Sequence, residues 1–344
     1  MSTPLVVVTG GSGFIASHII NQLLTQGYAV RTTLRSLTKV ALVKAMLKTA
    51  NCSDLSALTF VEADLTTDQH WDTVMQGAKF VIHPASPTPT LAFADEQEMI
   101  HPAVDGVLRV LRAASAAGVQ RVVLTSAYGA IFAGHRDRRI PFTEEVWSDL
   151  SQPDIQPYQK SKTLAEKAAW DFIHDDPTGM TLATVNPVAV MGPVLAADFF
   201  HSNLQIQDML NGKTAVVPQV DSGYVDVRDV ASLHLLAMMT PAAANQRFLA
   251  TTGETLSMLD VANILRAHFP AFATRLPQRE IPTEELKLAA QSEPMLKIVA
   301  SVAGTYAETS NAKAMTLLNW RPRSAETAIV ATAQSMIALG IVKA

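Results

Sequence analysis

Tyr158 and Lys162 stand four residues apart, and no other tyrosine in the chain has a lysine at that spacing. On a helix the pair shares one face, while Lys160, two residues on, points elsewhere. A free phenol has a pKa of ~10, and a neighbouring ammonium favours the phenolate, so a lowered value is expected for Tyr158. Such a tyrosine can pass its proton to a carbonyl oxygen as hydride reaches the carbon, or take it back in oxidation. Ser126, in Leu124-Thr125-Ser126-Ala127, is placed to hold that oxygen. Taken alone it reads equally as a turn-forming serine.

Hydride chemistry needs a coenzyme, and the start of the chain offers a place for one. Thr9-Gly10-Gly11-Ser12-Gly13-Phe14-Ile15-Ala16 lies between an apolar strand and a periodic helix. Gly10 suits the tight turn, Gly13 a close backbone approach to a pyrophosphate, and Ala16 the packing of helix on sheet. The free N–H groups of a helix N-terminus, from Ser12 through Phe14 and Ile15, would meet the anion. An NAD site carries an acidic residue ~20 residues further on. Here the second strand ends in Thr33-Leu34-Arg35-Ser36. Arg35 suits a 2′-phosphate, with Lys39 one helical turn beyond, so NADP(H) is the expected cofactor. Asp64, after the third strand, reads either as an acceptor for the adenine amino group or as a helix cap.

The elements that must position these residues alternate regularly. Strands are expected near Leu5–Thr9, Tyr28–Leu34, Leu58–Ala63, Lys79–His83, Arg121–Thr125 and Met180–Val185. Helices are expected near Gly13–Gln26, Leu37–Lys48, Glu96–Ala117 and from Tyr158 to Phe172. This is the pattern of an α/β fold: a doubly wound parallel Rossmann sheet with helices on both faces. Beyond Asn186 prolines break the pattern. Residues 1–190 are therefore expected to form the dinucleotide-binding domain, with 220–250 returning to it. Residues 191–344 are expected to form a smaller, mostly helical substrate lobe.

These residues and their order resemble the extended short-chain dehydrogenase/reductases over nearly the full length. More narrowly, the chain is similar to the branch of dihydroflavonol reductases, cinnamoyl-CoA reductases and fungal aldehyde and ketone reductases. His83-Pro84-Ala85-Ser86-Pro87, Asn186-Pro187-Val188-Ala189-Val190-Met191-Gly192-Pro193 and Tyr224-Val225-Asp226-Val227-Arg228-Asp229-Val230-Ala231 match three of its segments. The resemblance implies a catalytic triad of Ser126, Tyr158 and Lys162, with Arg35 and Lys39 at the 2′-phosphate. It also implies Asp64 and Leu65 beside the adenine, Ala85 and Ser86 along the cofactor, and Pro187, Val188 and Val190 near the nicotinamide. Asp226, Arg228 and Asp229 are then structural. Pro84 departs from the small or hydroxyl residue usual there. Arg109 stands where many relatives place an asparagine, so a proton relay through that asparagine does not carry over. Ala189 is small where relatives carry an aromatic, which implies a roomier pocket.

The expected activity is NADPH-dependent reduction of an aldehyde or ketone to an alcohol. Phe132, Met191, Phe199 and Phe200 are candidates for the substrate pocket or, equally, for the core. Two other classes compete. An NAD-dependent sugar-nucleotide epimerase or dehydratase would want an acidic residue where Arg35 stands. A non-catalytic NADP-sensing regulator would not need the Tyr–Lys pair. A net charge of −4 gives no case for nucleic acid, and Cys52, the only cysteine, excludes an internal disulfide. The scattered histidines show no metal-ligand spacing, and no run reaches the ~18 apolar residues of a membrane helix. A cytoplasmic monomer or homodimer acting on a small-molecule carbonyl is expected.

Overall fold

The computed structural model describes residues 3–86, 95–135, 138–153, 155–197, 202–291, 299–300, 303–304 and 308–343. Its first half alternates β1 (Leu5–Val8), α1 (Phe14–Thr25), β2 (Ala29–Leu34), α2 (Val40–Thr49), β3 (Leu58–Glu62), α3 (Trp71–Met75), β4 (Phe80–His83), α4 (Gln97–Ala116), β5 (Arg121–Thr125), α5 (Pro157–Asp175) and β6 (Thr181–Pro187). Then come β7 (Ala189–Met191), α6 (Ser202–Leu210), β8 (Val217–Pro218), β9 (Asp221–Asp226), α7 (Val227–Met239), β10 (Gln246–Ala250), β11 (Thr255–Ser257), α8 (Met258–His268), β12 (Glu280–Ile281), α9 (Thr283–Ala289), α10 (Ala312–Leu318) and α11 (Ala325–Ala338).

Seven strands form one sheet in the order β10-β6-β5-β4-β1-β2-β3, with every pairing parallel. The uninterrupted apolar run of β1 follows from this. Val6, Val7 and Val8 are wholly buried, Val6 and Val8 against α1 and α2 and Val7 against α3 and α4. Burying each such side chain contributes ~1.5–3 kcal/mol. The order reverses between β1 and β4, so a crevice opens beyond their carboxyl ends. That is where open α/β sheets bind ligands.

Two departures from the sequence reading have local causes. The five-residue α3 is too short to show a helical period; it is held where the Trp71 indole donates to the carbonyls of Asp64 and Thr67. A second sheet, β11-β9-β7, is built partly from three-residue strands that periodicity does not detect. The stretch after Asn186 is divided between the main sheet and a second core. β10 pairs with β6 in the main sheet and α7 packs on α1, whereas β7, α6, α8 and α11 surround a third apolar cluster.

Candidate active site

The crevice is floored by the turn after β1. Gly10 takes a left-handed φ of +66°, and a Cβ there would stand 2.9 Å from that of Ala85. Its N–H donates to Thr33 Oγ1 at 2.9 Å, and Gly11 N–H to the Thr33 carbonyl at 2.9 Å. These bonds pin the turn to β2. Gly13 precedes α1 without a side-chain cap, and a Cβ on it would press to 3.2 Å of the Gly10 carbonyl oxygen. The first amides of α1 therefore keep their N–H groups for an anion. A pyrophosphate fits such a cradle. Halfway along α1, His18 Nε2 donates to the Pro193 carbonyl, just beyond β7, at 2.9 Å. Burial lowers this imidazole to about 4.

Arg35 is exposed at the end of β2 and Lys39 closes the following short turn, which Ser36 caps by accepting from Thr38 N–H. No carboxylate replaces them in Thr33-Leu34-Arg35-Ser36. Asp64 turns one oxygen to Thr66, accepting from its N–H and hydroxyl at 2.8 Å each. Those bonds hold its carboxyl below the ordinary value. The capping alternative thus takes the form of a local turn, with the second oxygen left over. Beside it, Arg109 donates to Asp68 and to the Leu65 carbonyl, which commits Arg109 to the Leu65 corner.

Tyr158 and Lys162 sit in the first turns of α5. Pro157 starts the helix, and Gln156 and Gln159 cap one another's backbone. Lys162 Nζ lies 5.9 Å from the centre of the Tyr158 ring. The expected fall in the phenol pKa is not found: burial pushes Tyr158 up to about 12. Because 39 % of the residue is exposed, water moderates the size of that shift but not its sign. Burial also pushes Lys162 down to about 8, against the pull of Glu166. Near neutrality the phenol therefore holds its proton and the ammonium its charge.

Glu166 continues the column one turn further and is fully buried. It accepts from Ser126 Oγ at 2.5 Å, Asn186 Nδ2 at 2.7 Å, Thr184 Oγ1 at 3.0 Å and Arg247 Nε at 2.7 Å. The first of these bonds occupies the Ser126 hydroxyl. That hydroxyl donates to Glu166, and among the described residues no hydrogen bond joins Ser126 to Tyr158. Sequence reasoning missed Glu166, although a glutamate four residues past Lys162, on the buried face of an otherwise amphipathic helix, was a legible signal. It also missed His83, which is buried and bonded through Nδ1 to Thr9 Oγ1 at 2.7 Å.

The remaining candidates divide. Ala85 and Ser86 lie beyond β4, while Pro187 ends β6, Val188 follows it, and Ala189 and Val190 belong to β7. Phe132 stacks on Tyr128 with ring centres 4.7 Å apart. Met191 is wholly buried in the third apolar cluster, so its side chain packs the core instead of lining a pocket. Phe199, Phe200 and Pro87 lie outside the described residues. Asp226 caps α7 and holds Arg228, and Asp229 binds Arg323.

The model of the NAD dependent epimerase/dehydratase family matches residues 6–249. The chain belongs to this family. Among the family's proteins it is 35% identical over 282 residues to cinnamoyl-CoA reductase 1 of Petunia hybrida, covering 79% of each chain. It is 34% identical over 294 residues to the NADPH-dependent methylglyoxal reductase GRE2 of Saccharomyces cerevisiae, covering 79% of this chain and 84% of that one. The crystal structure of yeast methylglyoxal/isovaleraldehyde reductase Gre2 complexed with NADPH matches with a TM-score of 0.81 and 29% identity, over 98% of this chain and 100% of that one. These relatives place the chain on the family's reductase branch, the one its motifs resemble.

Proposed function

We propose that Tyr158 is the proton donor of a carbonyl reductase and that Lys162 holds it in register. The chain is an NADPH-dependent oxidoreductase that reduces a carbonyl group to an alcohol. The observation that carries the proton-donor reading is the Tyr158–Lys162–Glu166 column, standing beside the crevice with its phenol protonated. The bound coenzyme supplies the hydride. Tyr158 gives its proton to the carbonyl oxygen, and the nearby ammonium of Lys162 stabilises the phenolate left behind. Gly10, Ser12, Gly13, Phe14 and Ile15 cradle the pyrophosphate, and Arg35 and Lys39 meet the 2′-phosphate. Ser126 acts through Glu166, as a residue that fixes the end of β5.

The missing carboxylate after β2 sets this reading against an NAD-dependent epimerase, and the intact Tyr–Lys pair sets it against a silent sensor. A panel of aldehydes and ketones, assayed with NADPH and with NADH on wild-type protein and on Tyr158→Phe, tests it. The expected result is turnover with NADPH that Tyr158→Phe abolishes. Undiminished turnover in that variant overturns the assignment of the donor.

A further inference from the structure

The carboxyl ends of β4 and β5, the inner face of α5 and part of α4 line a small cavity of about 10 Å³. A volume of about 10–15 Å³ holds one water, provided that two to four polar partners surround it. The polar residues that line it are His83, Ser86, Thr125, Ser126, Lys162 and Glu166. His83 Nε2 is buried and has no hydrogen-bond partner among the described residues, and a buried polar nitrogen left unpaired costs ~1–3 kcal/mol.

The partner of Nδ1 sets which ring nitrogen carries hydrogen. Thr9 Oγ1 accepts from the Ala85 N–H at 3.2 Å, and the outlet for its own proton among the described residues is His83 Nδ1 at 2.7 Å. Nδ1 is then the acceptor, and Nε2 carries the hydrogen. Lys162 lines the same cavity, and its ammonium carries three N–H donors for any acceptor there. Burial and the neighbouring Lys162 charge hold the His83 imidazole down at about 3, hence neutral.

We propose that His83 is a positioning residue: its Nε2–H anchors one ordered water that also binds the Lys162 ammonium and so holds Lys162 against Tyr158. This water takes the place of the asparagine relay, because Arg109 is committed to Asp68 and Leu65. Ser126 Oγ, whose own hydrogen points to Glu166, has lone pairs in the same wall for a hydrogen of the water. The inference rests on Lys162 acting on Tyr158 as set out above.

The test has two arms. In a high-resolution crystal structure of the full chain, a water within about 3.2 Å of both His83 Nε2 and Lys162 Nζ is expected. A dry cavity overturns the inference. In solution, His83→Asn keeps an acceptor near the Nδ1 position for Thr9 but does not reach the water, whereas His83→Gln does reach it. His83→Asn is expected to lower kcat about ten-fold and to shift the alkaline limb of its pH profile. His83→Gln is expected to recover most of both. A purely structural role for His83 would lower Tm and leave the limb in place, which also overturns the inference. Tyr158→Phe, run in parallel, separates the two readings. If Tyr158→Phe is dead while His83→Asn behaves as wild type, only the water site falls. If Tyr158→Phe stays active, the proton-donor reading falls, and the crystallographic water alone decides this one.

Discussion

Ser126 gives its hydroxyl proton to Glu166 at 2.5 Å, across the gap between the end of β5 and the second half of the Tyr158 column. While it points inward, that hydroxyl offers no hydrogen to the crevice. Ser126→Ala is therefore expected to cost ~1 kcal/mol of stability, a typical net value for one hydrogen bond. Its effect on kcat should be far smaller than that of Tyr158→Phe. Urea denaturation and steady-state kinetics on both variants check this, and equal losses of turnover would return Ser126 to the reacting atoms.

Arg247 and Glu166 form a buried ion pair, with the guanidinium also lying 3.7 Å from the centre of the Trp147 ring. Removing the cation leaves a buried carboxylate uncompensated. Arg247→Met should cost ~3–5 kcal/mol, and adding Glu166→Gln should recover part of it. Chemical denaturation of the single and double variants measures the coupling.

Activity should depend on pH through Lys162. Its folded-state value of about 8 lies below the ordinary 10.5. Below about pH 8 the ammonium is charged and reduction runs fully; above it the charge is lost and kcat falls. The sign for stability is opposite. Between about pH 8 and 10.5 the unfolded chain binds more protons at this lysine than the folded one, so its contribution to stability rises with pH. Lys162→Arg should move the kinetic limb to higher pH. Profiles of kcat and Tm against pH, collected on both proteins, read the two trends separately.

Coenzyme choice should follow Arg35. Replacing it with glutamate removes a charge-assisted bond worth ~1.5–3 kcal/mol, so the preference for NADPH over NADH should fall by about ten- to a hundred-fold. The ratio of kcat/KM for the two coenzymes is the measurement. An unchanged ratio would place the 2′-phosphate elsewhere.

Gly10→Ala should damage the cradle directly. A left-handed backbone with a side chain costs ~1–2 kcal/mol, and the added methyl would stand 2.9 Å from Ala85 Cβ. Weaker NADPH binding by fluorescence titration, with a lower Tm, is expected.

The sheet was legible in the chain because a parallel strand buried on both faces has to be a continuous apolar run, as in β1, and because helices of ten residues or more separate most such runs, the five-residue α3 excepted. The cradle and the Tyr158–Lys162 pair were legible because their chemistry depends on spacing. The direction of the Ser126 hydroxyl was not, since it depends on which face of β5 meets α5. The phenol shift meets a related limit: spacing reveals the ammonium, but only the packed structure reveals how much water the ring has lost. Met191 shows the same limit, because a residue next to a motif can belong to another core.

The bond from His18 to the Pro193 carbonyl fastens the coenzyme helix to the chain where it departs from β7. An imidazole held near 4 stays neutral throughout mildly acidic and neutral conditions, so acidification to that extent does not unfasten it. The floor of the crevice and the segment leading toward α6 are thus joined by a clasp indifferent to protons, while the acid–base work is left to α5.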